Sequence, residues 1–349
     1  MSIKNRVARV AAIAQSRLPK ALLRRRHGSA PSIDGYTLDL QVHAFQGFMA
    51  SAAAKNPPPT VDVATVRSGF RSMIEISAAA PVASVSVHDR TIPGPAGKLA
   101  IRLYHPTRAE GRADAITFFH QGGGAIGDLD TDHTLCSKLA ETCSAVVISV
   151  EYRLGPESPF PADVVDGLAA YQWVLDNASG LGINEARVAV AGTSQGGKIA
   201  AVVAQQRRRE GLSVPFAQIL AFPGLDATAS GGSMLSMFDA WPLSGRVLQF
   251  FSATSGAGGE QVVDYRASPG LAPDLAGTPP TLIVNPCFDP LRDQGIAYAA
   301  ALESAGVMVD ARLEEALPHS FTVMGAVSRE ARRATDRLVT GAAKLLADS

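Results

Sequence analysis

A segment near the middle of the chain joins a buried strand to a helix through a serine flanked by glycines. Val188–Ala191 is an apolar run typical of a strand, and the Ala/Val-rich run from Lys198 predicts a helix. The connecting motif Gly192-x-Ser194-x-Gly196 is the strand–turn–helix pattern that raises a serine above the edge of a sheet. Glycine is needed because so sharp a turn brings two backbones too close for side chains. For this motif alone, a plain glycine-rich turn is the alternative interpretation.

Beyond residue 80, short apolar segments alternate with longer helical ones. A hairpin is predicted first, at residues 84–104. Further strands are predicted at residues 115–119, 145–150, 188–191, 216–222, 280–285 and 307–313. Helices are predicted at residues 131–142, 161–178, 197–210, 293–305 and 326–347. This alternation predicts an α/β fold with a mostly parallel central sheet of about eight strands and helices on both faces.

Two stretches fall outside this alternation. Residues 32–80 look helical, with a break at Pro57-Pro58-Pro59, and Ala80-Pro81 marks a boundary. Residues 227–264 are too long for a simple loop and are expected to insert over the site. We therefore expect an N-terminal helical cap segment at 1–80, a catalytic domain at 81–349 and a cap insertion at about 227–264.

Composition limits the classes of partner. Lys+Arg and Asp+Glu both number 32, which argues against nucleic acid as the main partner. No apolar run approaches the roughly 18 residues that span a membrane. The histidines lack metal-ligand spacing and no nucleotide fingerprint is present, so we predict neither metal nor cofactor. Three cysteines do not make a disulfide framework, so we expect a reduced, cytoplasmic protein.

The first 27 residues are strongly basic, with no acidic residue before Asp34. One face of a helix over this segment would carry the apolar residues Ile3, Val7, Val10, Ala14 and Leu18. Largely opposite lie Arg6, Arg9 and Arg17. Two interpretations follow: a helix on a membrane surface, or a lid helix that docks its apolar stripe on the protein. The docked helix is the preferred interpretation.

A serine nucleophile needs a general base, and the base needs an acid that orients it. His319 is the only histidine after Ser194, and it lies in a loop after the last predicted strand. That position fits the chain order serine, acid, histidine of hydrolases with this serine motif. Asp289, just after the strand at 280–285, is the preferred acid. Asp293 is the alternative, although it also suits the N-terminal cap of the next helix.

Backbone N–H groups that stabilise an oxyanion are predicted from two places. One is the N–H of Gln195, directly after the serine. The other is the glycine run His120-Gln121-Gly122-Gly123-Gly124, because glycine lets the backbone approach a substrate. A phosphate-binding loop is disfavoured, since no Lys-Ser/Thr pair follows the glycines.

Taken together, these motifs resemble those of bacterial esterases of the hormone-sensitive lipase family (family IV) of α/β hydrolases. The matching segments are His120–Gly124, Tyr152–Glu157, Gly192–Gly197, Asp289–Asp293 and His319–Phe321. The resemblance runs from about residue 81 to the C-terminus. It implies the α/β-hydrolase fold with a helical cap.

The resemblance also implies roles for individual residues. The catalytic triad would be Ser194, Asp289 and His319. The oxyanion hole would be Gly122, Gly123 and Gln195. His120 would hold the glycine run in shape, and the Tyr152–Glu157 stretch would be a buried structural element.

The sequence departs from the family pattern around the serine and the glycine run. Gln121 stands where the family has the first glycine, and Gly124 where it has an aromatic residue. Gln195 replaces the usual alanine, and Thr193 the usual aspartate. A backbone N–H survives each change, so we expect Gln121 and Gln195 to affect the acyl pocket and substrate class more than the reaction.

The expected function is a serine carboxylesterase that hydrolyses short- to medium-chain esters through an acyl-enzyme. An amidase or lactonase with the same triad is one alternative, and a non-catalytic small-ligand receptor of the same fold is another. The expected partner is a small-molecule ester; homodimers are common in the family, but nothing in the sequence shows one. Phe45, Phe48 and Met49 either line the acyl pocket or form the core face of a lid helix, with the core preferred.

Overall fold

The fold is described from a computed structural model of the chain. It describes residues 1–55, 62–107, 112–256 and 258–349. The expected helix break at Pro57–Pro59 lies outside these ranges.

The N-terminal segment is mostly helical. Its elements are α1 (Ile3–Ser16), α2 (Lys20–His27), β1 (Ser32–Ile33), β2 (Tyr36–Thr37), α3 (Leu40–Lys55) and α4 (Val63–Ser77). The expectation of helix from residue 32 is wrong for the β1–β2 hairpin. Asp34 and Gly35 form its two-residue turn with φ of 54° and 84°. Aspartate followed by glycine favours this turn, because both residues tolerate positive φ.

An eight-stranded sheet follows. Its strands are β3 (Ser86–Gly94), β4 (Gly97–His105), β5 (Ala113–Phe119), β6 (Val146–Val150), β7 (Ile183–Thr193), β8 (Gln218–Ala221), β9 (Thr281–Phe288) and β10 (Val309–Pro318). The spatial order is β10-β9-β8-β7-β5-β6-β4-β3, and every pair from β10 to β6 is parallel. The predicted mostly parallel sheet is confirmed.

Helices cover both faces of the sheet, as predicted. They are α5 (His133–Cys143), α6 (Ala162–Asp176), α7 (Ala178–Leu181), α8 (Gln195–Arg209), α9 (Ser233–Ser236), α10 (Gly245–Ser255), α11 (Arg292–Ser304) and α12 (Arg329–Asp348). One apolar cluster joins α5, α12 and the N-terminal helices to the sheet, and a second joins α6, α8 and α11 to its other face. In the ranges described, no helix has the length and hydrophobicity needed to cross a bilayer.

The N-terminal segment is hydrogen-bonded to the end of β10 and to the segment that follows it. The Asp39 backbone N–H donates to the Ala316 carbonyl at 2.8 Å. Ser77 Oγ donates to the Val323 carbonyl at 2.8 Å, and the Ser77 carbonyl accepts from the Ala326 N–H at 2.9 Å. These bonds fix α3 and α4 beside the carboxyl ends of the strands, where the site lies.

Helix α1 corrects one expectation. Its apolar stripe does not dock on the protein: Ile3, Val7 and Val10 are 82%, 66% and 69% exposed. The opposite face carries the contacts, with Ala12 buried and the Arg9 guanidinium donating to the carbonyls of α4's last turn. The Arg9 guanidinium therefore binds the C-terminal end of α4, while the apolar side chains of α1 face solvent.

Candidate active site

The turn between β7 and α8 holds Ser194 in a strained conformation, with φ of 51° and ψ of −116°. The neighbouring glycines explain how so tight a turn is possible. A Cβ on Gly196 would lie 1.9 Å from the Phe119 carbonyl oxygen, so any side chain there would collide with β5. The register of Phe119 opposite Gly192 brings the glycine run that follows β5 beside the serine.

The structure brings Ser194, His319 and Asp289 together. His319 Nε2 lies 3.0 Å from Ser194 Oγ, and His319 Nδ1 lies 2.7 Å from Asp289 Oδ2. Asp289 Oδ1 accepts a hydrogen bond from the Leu291 N–H at 2.8 Å. A continuous chain of hydrogen bonds therefore runs from a buried carboxylate through an imidazole to the serine hydroxyl.

The ring of His319 is held from the side by Phe222, whose ring centroid lies 4.8 Å away in an edge-on arrangement.

Asp293, the alternative acid, is not part of the triad: its carboxylate accepts a hydrogen bond from the Ser233 N–H at 2.7 Å and pairs with Arg292. It does not cap its own helix either, because the N-cap of α11 is Leu291.

The glycine run lies against the serine with backbone N–H groups available. Gly122 and Gly123 have φ of 141° and 59°, conformations that side chains rarely adopt. Within the described ranges, the N–H groups of Gly122, Gly123 and Gln195 donate no backbone hydrogen bond outside regular helices and strands. Gly123 and Ser194 line the same two cavities, described below.

Asp132, which sequence reasoning missed, ties the glycine run to the serine turn. Its carboxylate accepts from the Gln121 N–H at 3.2 Å, from Gln121 Nε2 at 3.0 Å and from Thr193 Oγ1 at 2.8 Å. Burial raises the pKa of Asp132 to about 6, although these three donors act in the opposite direction. The sequence signal was present: polar residues at 121 and 193, where the family has glycine and aspartate, require a buried partner.

His120 supports the glycine run from behind. Its ring stacks on Tyr152 at 4.3 Å, its Nδ1 lies 2.8 Å from the Gln121 carbonyl, and Tyr152 Oη donates to the His120 carbonyl at 2.8 Å. Burial lowers the pKa of His120 to about 4, so the ring is neutral near pH 7. The Tyr152–Glu157 stretch, expected to be a buried structural element, is buried at Tyr152 and Gly155 but exposed at Pro156 and Glu157.

Arg67 on α4 connects the N-terminal helices to this scaffold. Its guanidinium donates to the Ala125 carbonyl at 2.8 Å and to the Gly155 carbonyl at 2.9 Å. It also forms a two-pronged ion pair with Glu157, with an N–O distance of 2.7 Å. The exposed end of the Tyr152–Glu157 stretch therefore binds α4.

Two cavities meet at Ser194. The more apolar one, of about 330 Å³, is lined by Met49, Phe70, Met73, Trp241 and Phe251, among others. The second, of about 450 Å³, contains polar side chains, including Gln195, Lys198, Asp226 and Gln249. Phe251 borders both cavities.

The three apolar residues Phe45, Phe48 and Met49 of α3 divide between the pocket and the core. Met49 lines the apolar cavity, whereas Phe45 is 2% exposed in the core and meets the Trp241 ring edge-on at 5.7 Å. Phe48 packs against that core. Trp241, which belongs to the expected insertion, therefore contacts the N-terminal segment directly above the site.

The Gln195 side chain is held by a second buried carboxylate. Asp163 Oδ2 accepts from Gln195 Nε2 at 2.6 Å and pairs with Lys198 Nζ at 3.3 Å. The two amide side chains expected to influence the acyl pocket are thus each bound to a buried aspartate, Gln121 to Asp132 and Gln195 to Asp163. No cluster of His, Cys, Asp or Glu that could hold a metal occurs in the ranges the structure covers.

Comparison with known proteins agrees with the serine, histidine and aspartate arrangement of the site. A family model described as the α/β hydrolase fold matches residues 116–323. The carboxylic ester hydrolase LipN of Mycobacterium tuberculosis is 35% identical over 90% of this chain and 84% of its own length. The chain belongs to the α/β-hydrolase family. The resemblance to the hormone-sensitive lipase family of α/β hydrolases is confirmed.

Other α/β hydrolases extend the likeness. The carboxylesterase NlhH of M. tuberculosis is 37% identical over 68% of this chain and 76% of its own. Among solved structures, the ester hydrolase EH1AB1 from a Lake Arreo metagenome superposes with a TM-score of 0.83 at 32% identity, over 88% of this chain and 99% of its own. An esterase from Pyrobaculum calidifontis gives 0.77 at 32% identity, covering 86% and 97%.

Proposed function

We propose that this α/β hydrolase is a serine carboxylesterase in which Ser194 is the nucleophile, His319 the general base and Asp289 the orienting acid. The observation that carries the proposal is the hydrogen-bond chain from Asp289 through His319 to Ser194. The relatives named carboxylic ester hydrolase and carboxylesterase support the same reaction class.

The reaction proceeds in two halves. His319 Nε2 accepts the proton of Ser194 Oγ as the oxygen attacks the acyl carbon, and Asp289 stabilises the imidazolium. His319 then donates that proton to the departing alcohol, leaving an acyl-enzyme. A water molecule, deprotonated by His319, hydrolyses the acyl-enzyme and restores Ser194.

Both halves pass through a tetrahedral oxyanion. We assign its stabilisation to the N–H groups of Gly122, Gly123 and Gln195. Each donor of this kind contributes roughly 10²–10³ in rate, because it faces the charge that develops in the transition state. The Asp132 carboxylate positions both segments that carry these donors, the glycine run through Gln121 and the serine turn through Thr193.

The two cavities suggest how an ester is accommodated. The acyl chain occupies the apolar cavity of about 330 Å³, whose size favours short to medium chains. The alcohol portion occupies the more polar cavity beside Gln195. Residues 1–80 and the insertion at about 227–264 act together as the cap, with the contact between Phe45 and Trp241 supporting this division.

We also infer a cytoplasmic location. All three cysteines are free thiols, which fits a reducing compartment. Recovery of the native protein with the periplasmic or secreted fraction would contradict this inference.

Substitution of the nucleophile tests the proposal. Ser194→Ala is expected to lower kcat/KM for p-nitrophenyl butyrate by at least roughly 10³, because acylation is lost. Ser304→Ala, at the exposed end of α11, is the control and should retain full activity. Wild-type turnover by a folded Ser194→Ala variant would remove Ser194 from the mechanism.

A substrate and probe panel separates the alternatives. A fluorophosphonate should label wild type but not Ser194→Ala, since the probe reacts with an activated serine; no labelling would favour a receptor. Matched ester, lactone and anilide substrates should rank with the ester first. A higher kcat/KM for the lactone or the anilide would indicate the corresponding alternative.

A further inference from the structure

Helix α1 presents a row of large apolar side chains to solvent. Ile3, Val7 and Val10 are 82%, 66% and 69% exposed and lie on one face, with Ala14 continuing the row. A single exposed apolar residue on a surface is ordinary, but a contiguous row on one helix face marks a surface that contacts something else. We call these four residues the α1 stripe.

The opposite face of α1 fixes the orientation of the stripe. Arg9 Nη1 donates to the carbonyls of Glu75, Ile76 and Ala78 at 3.0, 3.2 and 2.8 Å. Gln15 Nε2 donates to the buried Ala44 carbonyl at 2.9 Å. Rolling the helix to bury the stripe would break these bonds and leave the carbonyls at the end of α4 without their donor. The stripe is therefore held outward.

Basic side chains border the stripe. Successive residues of a helix are about 100° apart, so Lys4 flanks the stripe on one side. Arg6 and Arg17, expected largely opposite the stripe, flank it on the other side, and of the three arginines only Arg9 lies on the opposite face. Lys4, Arg6 and Arg17 are exposed. Helix α2 adds the exposed cations Lys20, Arg24, Arg25 and Arg26. With no acidic residue before Asp34, the side chains of α1 and α2 carry only positive charge, in a chain whose overall charge is zero.

We propose that α1 and α2 bind the surface of an anionic phospholipid bilayer. The α1 stripe enters the boundary between headgroups and acyl chains, and the flanking cations contact lipid phosphates. Charge complementarity favours this occupant over a second copy of the chain, because two such surfaces face to face would oppose like charges. Leu22 on α2, 48% exposed, is a further apolar side chain open to solvent in these two helices.

This attachment leaves the active site in place. Helix α1 packs on α4, and α4 lines the apolar cavity through Val66, Phe70 and Met73. Since lipid would contact only the outward face of α1, the packing of α1 on α4 is unchanged. Hydrolysis of a water-soluble ester should proceed equally with and without vesicles.

Vesicle co-sedimentation of the full chain tests the proposal. Wild type should sediment with vesicles of equal parts phosphatidylglycerol and phosphatidylcholine, and far less with phosphatidylcholine alone. In about 1 M salt, where charges are screened beyond about 3 Å, binding should weaken. Val7→Gln/Val10→Gln should lower the bound fraction at least about fivefold, because two apolar insertions are lost.

The matched control is Val165→Gln/Ile296→Gln, two exposed apolar residues on α6 and α11 at the other face of the sheet. It should bind vesicles like wild type, and both double variants should keep wild-type esterase activity, which verifies folding. Absence of wild-type binding to anionic vesicles, or an equal loss in both variants, would overturn the proposal. A concentration-dependent dimer that Val7→Gln/Val10→Gln abolishes, without vesicle binding, would assign the stripe to a second copy instead.

Discussion

Thr193 Oγ1 donates a 2.8 Å hydrogen bond to Asp132 Oδ2, and this bond joins the serine turn to the glycine run. The same carboxylate accepts from both the backbone and the side chain of Gln121. One buried anion therefore sets the spacing between the nucleophile and the proposed oxyanion donors. The structural role of Thr193 and Gln121 is therefore to bind the same carboxylate.

Asp132→Asn should lower kcat by about 10- to 100-fold. The amide NH₂ of asparagine would face one of the present donors, so a hydrogen bond is lost and the two segments separate slightly. Kinetics with p-nitrophenyl butyrate measure the effect. Asp130→Asn, on the same loop but with its side chain 74% exposed, is the control and should change kcat by less than about twofold. Equal effects would deny Asp132 its positioning role.

The free energy of unfolding should also depend on the protonation of Asp132. Its pKa is about 6 in the folded protein against an ordinary value of 3.8, so between these pH values the folded state holds a proton that the unfolded chain has lost. The contribution of Asp132 to the free energy of unfolding therefore falls as pH rises through this window, by about 3 kcal/mol in total. Urea unfolding of wild type and Asp132→Asn across the window should show their difference changing with that sign. A constant difference would contradict it.

Arg67→Ala should destabilise the protein by about 1–3 kcal/mol and lower kcat. The substitution leaves the Ala125 and Gly155 carbonyls without a charged donor and detaches α4 from the glycine run. Arg71→Ala, one turn further along α4, removes an ion pair from a side chain that is 64% exposed and should cost less than about 0.5 kcal/mol. Denaturant unfolding and steady-state kinetics distinguish the two.

Gln195→Ala and Gln195→Met should retain rates within about threefold on p-nitrophenyl acetate, because the backbone N–H at this position is unchanged. The alanine variant enlarges the polar cavity and should accept bulkier alcohols. The methionine variant keeps the volume but removes the bond to Asp163, so it isolates the polar effect. A fall of about 10²-fold in both variants would mean that the side chain itself takes part in the reaction.

Phe251→Ala should shift acyl preference to longer or branched chains. The ring borders both cavities, and its removal joins them. Phe250→Ala is a matched control, because Phe250 contacts the Phe251 ring with centroids 5.9 Å apart but lines neither cavity. A chain-length series of p-nitrophenyl esters gives the readout; unchanged profiles in both variants would exclude Phe251 from specificity.

Local sequence patterns predicted most of the sheet and its helices, and most of the candidate catalytic residues. Alternating apolar strands and helices indicated the sheet, because burial on both faces selects continuous apolar runs. The order serine, acid, histidine selected Ser194 and His319 but left both Asp289 and Asp293 possible. The family resemblance favoured Asp289, which the fold brings into contact with His319. The sequence indicated that Gln121 and Thr193 need a buried polar partner, but not which residue it is, because Asp132 lies 61 residues from Thr193 and the bond depends on tertiary packing.

The outward orientation of α1 shows a different limit. Periodicity identifies which face of a helix is apolar but not which face the protein covers. Here Arg9 donates hydrogen bonds to three carbonyls at the end of α4, and those bonds turn the Arg9 face of α1 toward the protein and the apolar stripe toward solvent. The turn at Asp34-Gly35 was visible in the sequence, since that dipeptide favours positive φ, but the surrounding helical pattern obscured it.

The hydrogen bonds of Asp39 and Ser77 reach the main chain on both sides of His319, at Ala316, Val323 and Ala326. A chimaera that exchanged residues 1–80 for those of a relative would therefore disturb the backbone on both sides of His319 as well as the helices that cover the pocket. Productive grafts should carry residues 316–328 along with the N-terminal helices, so that both halves of this junction come from one parent.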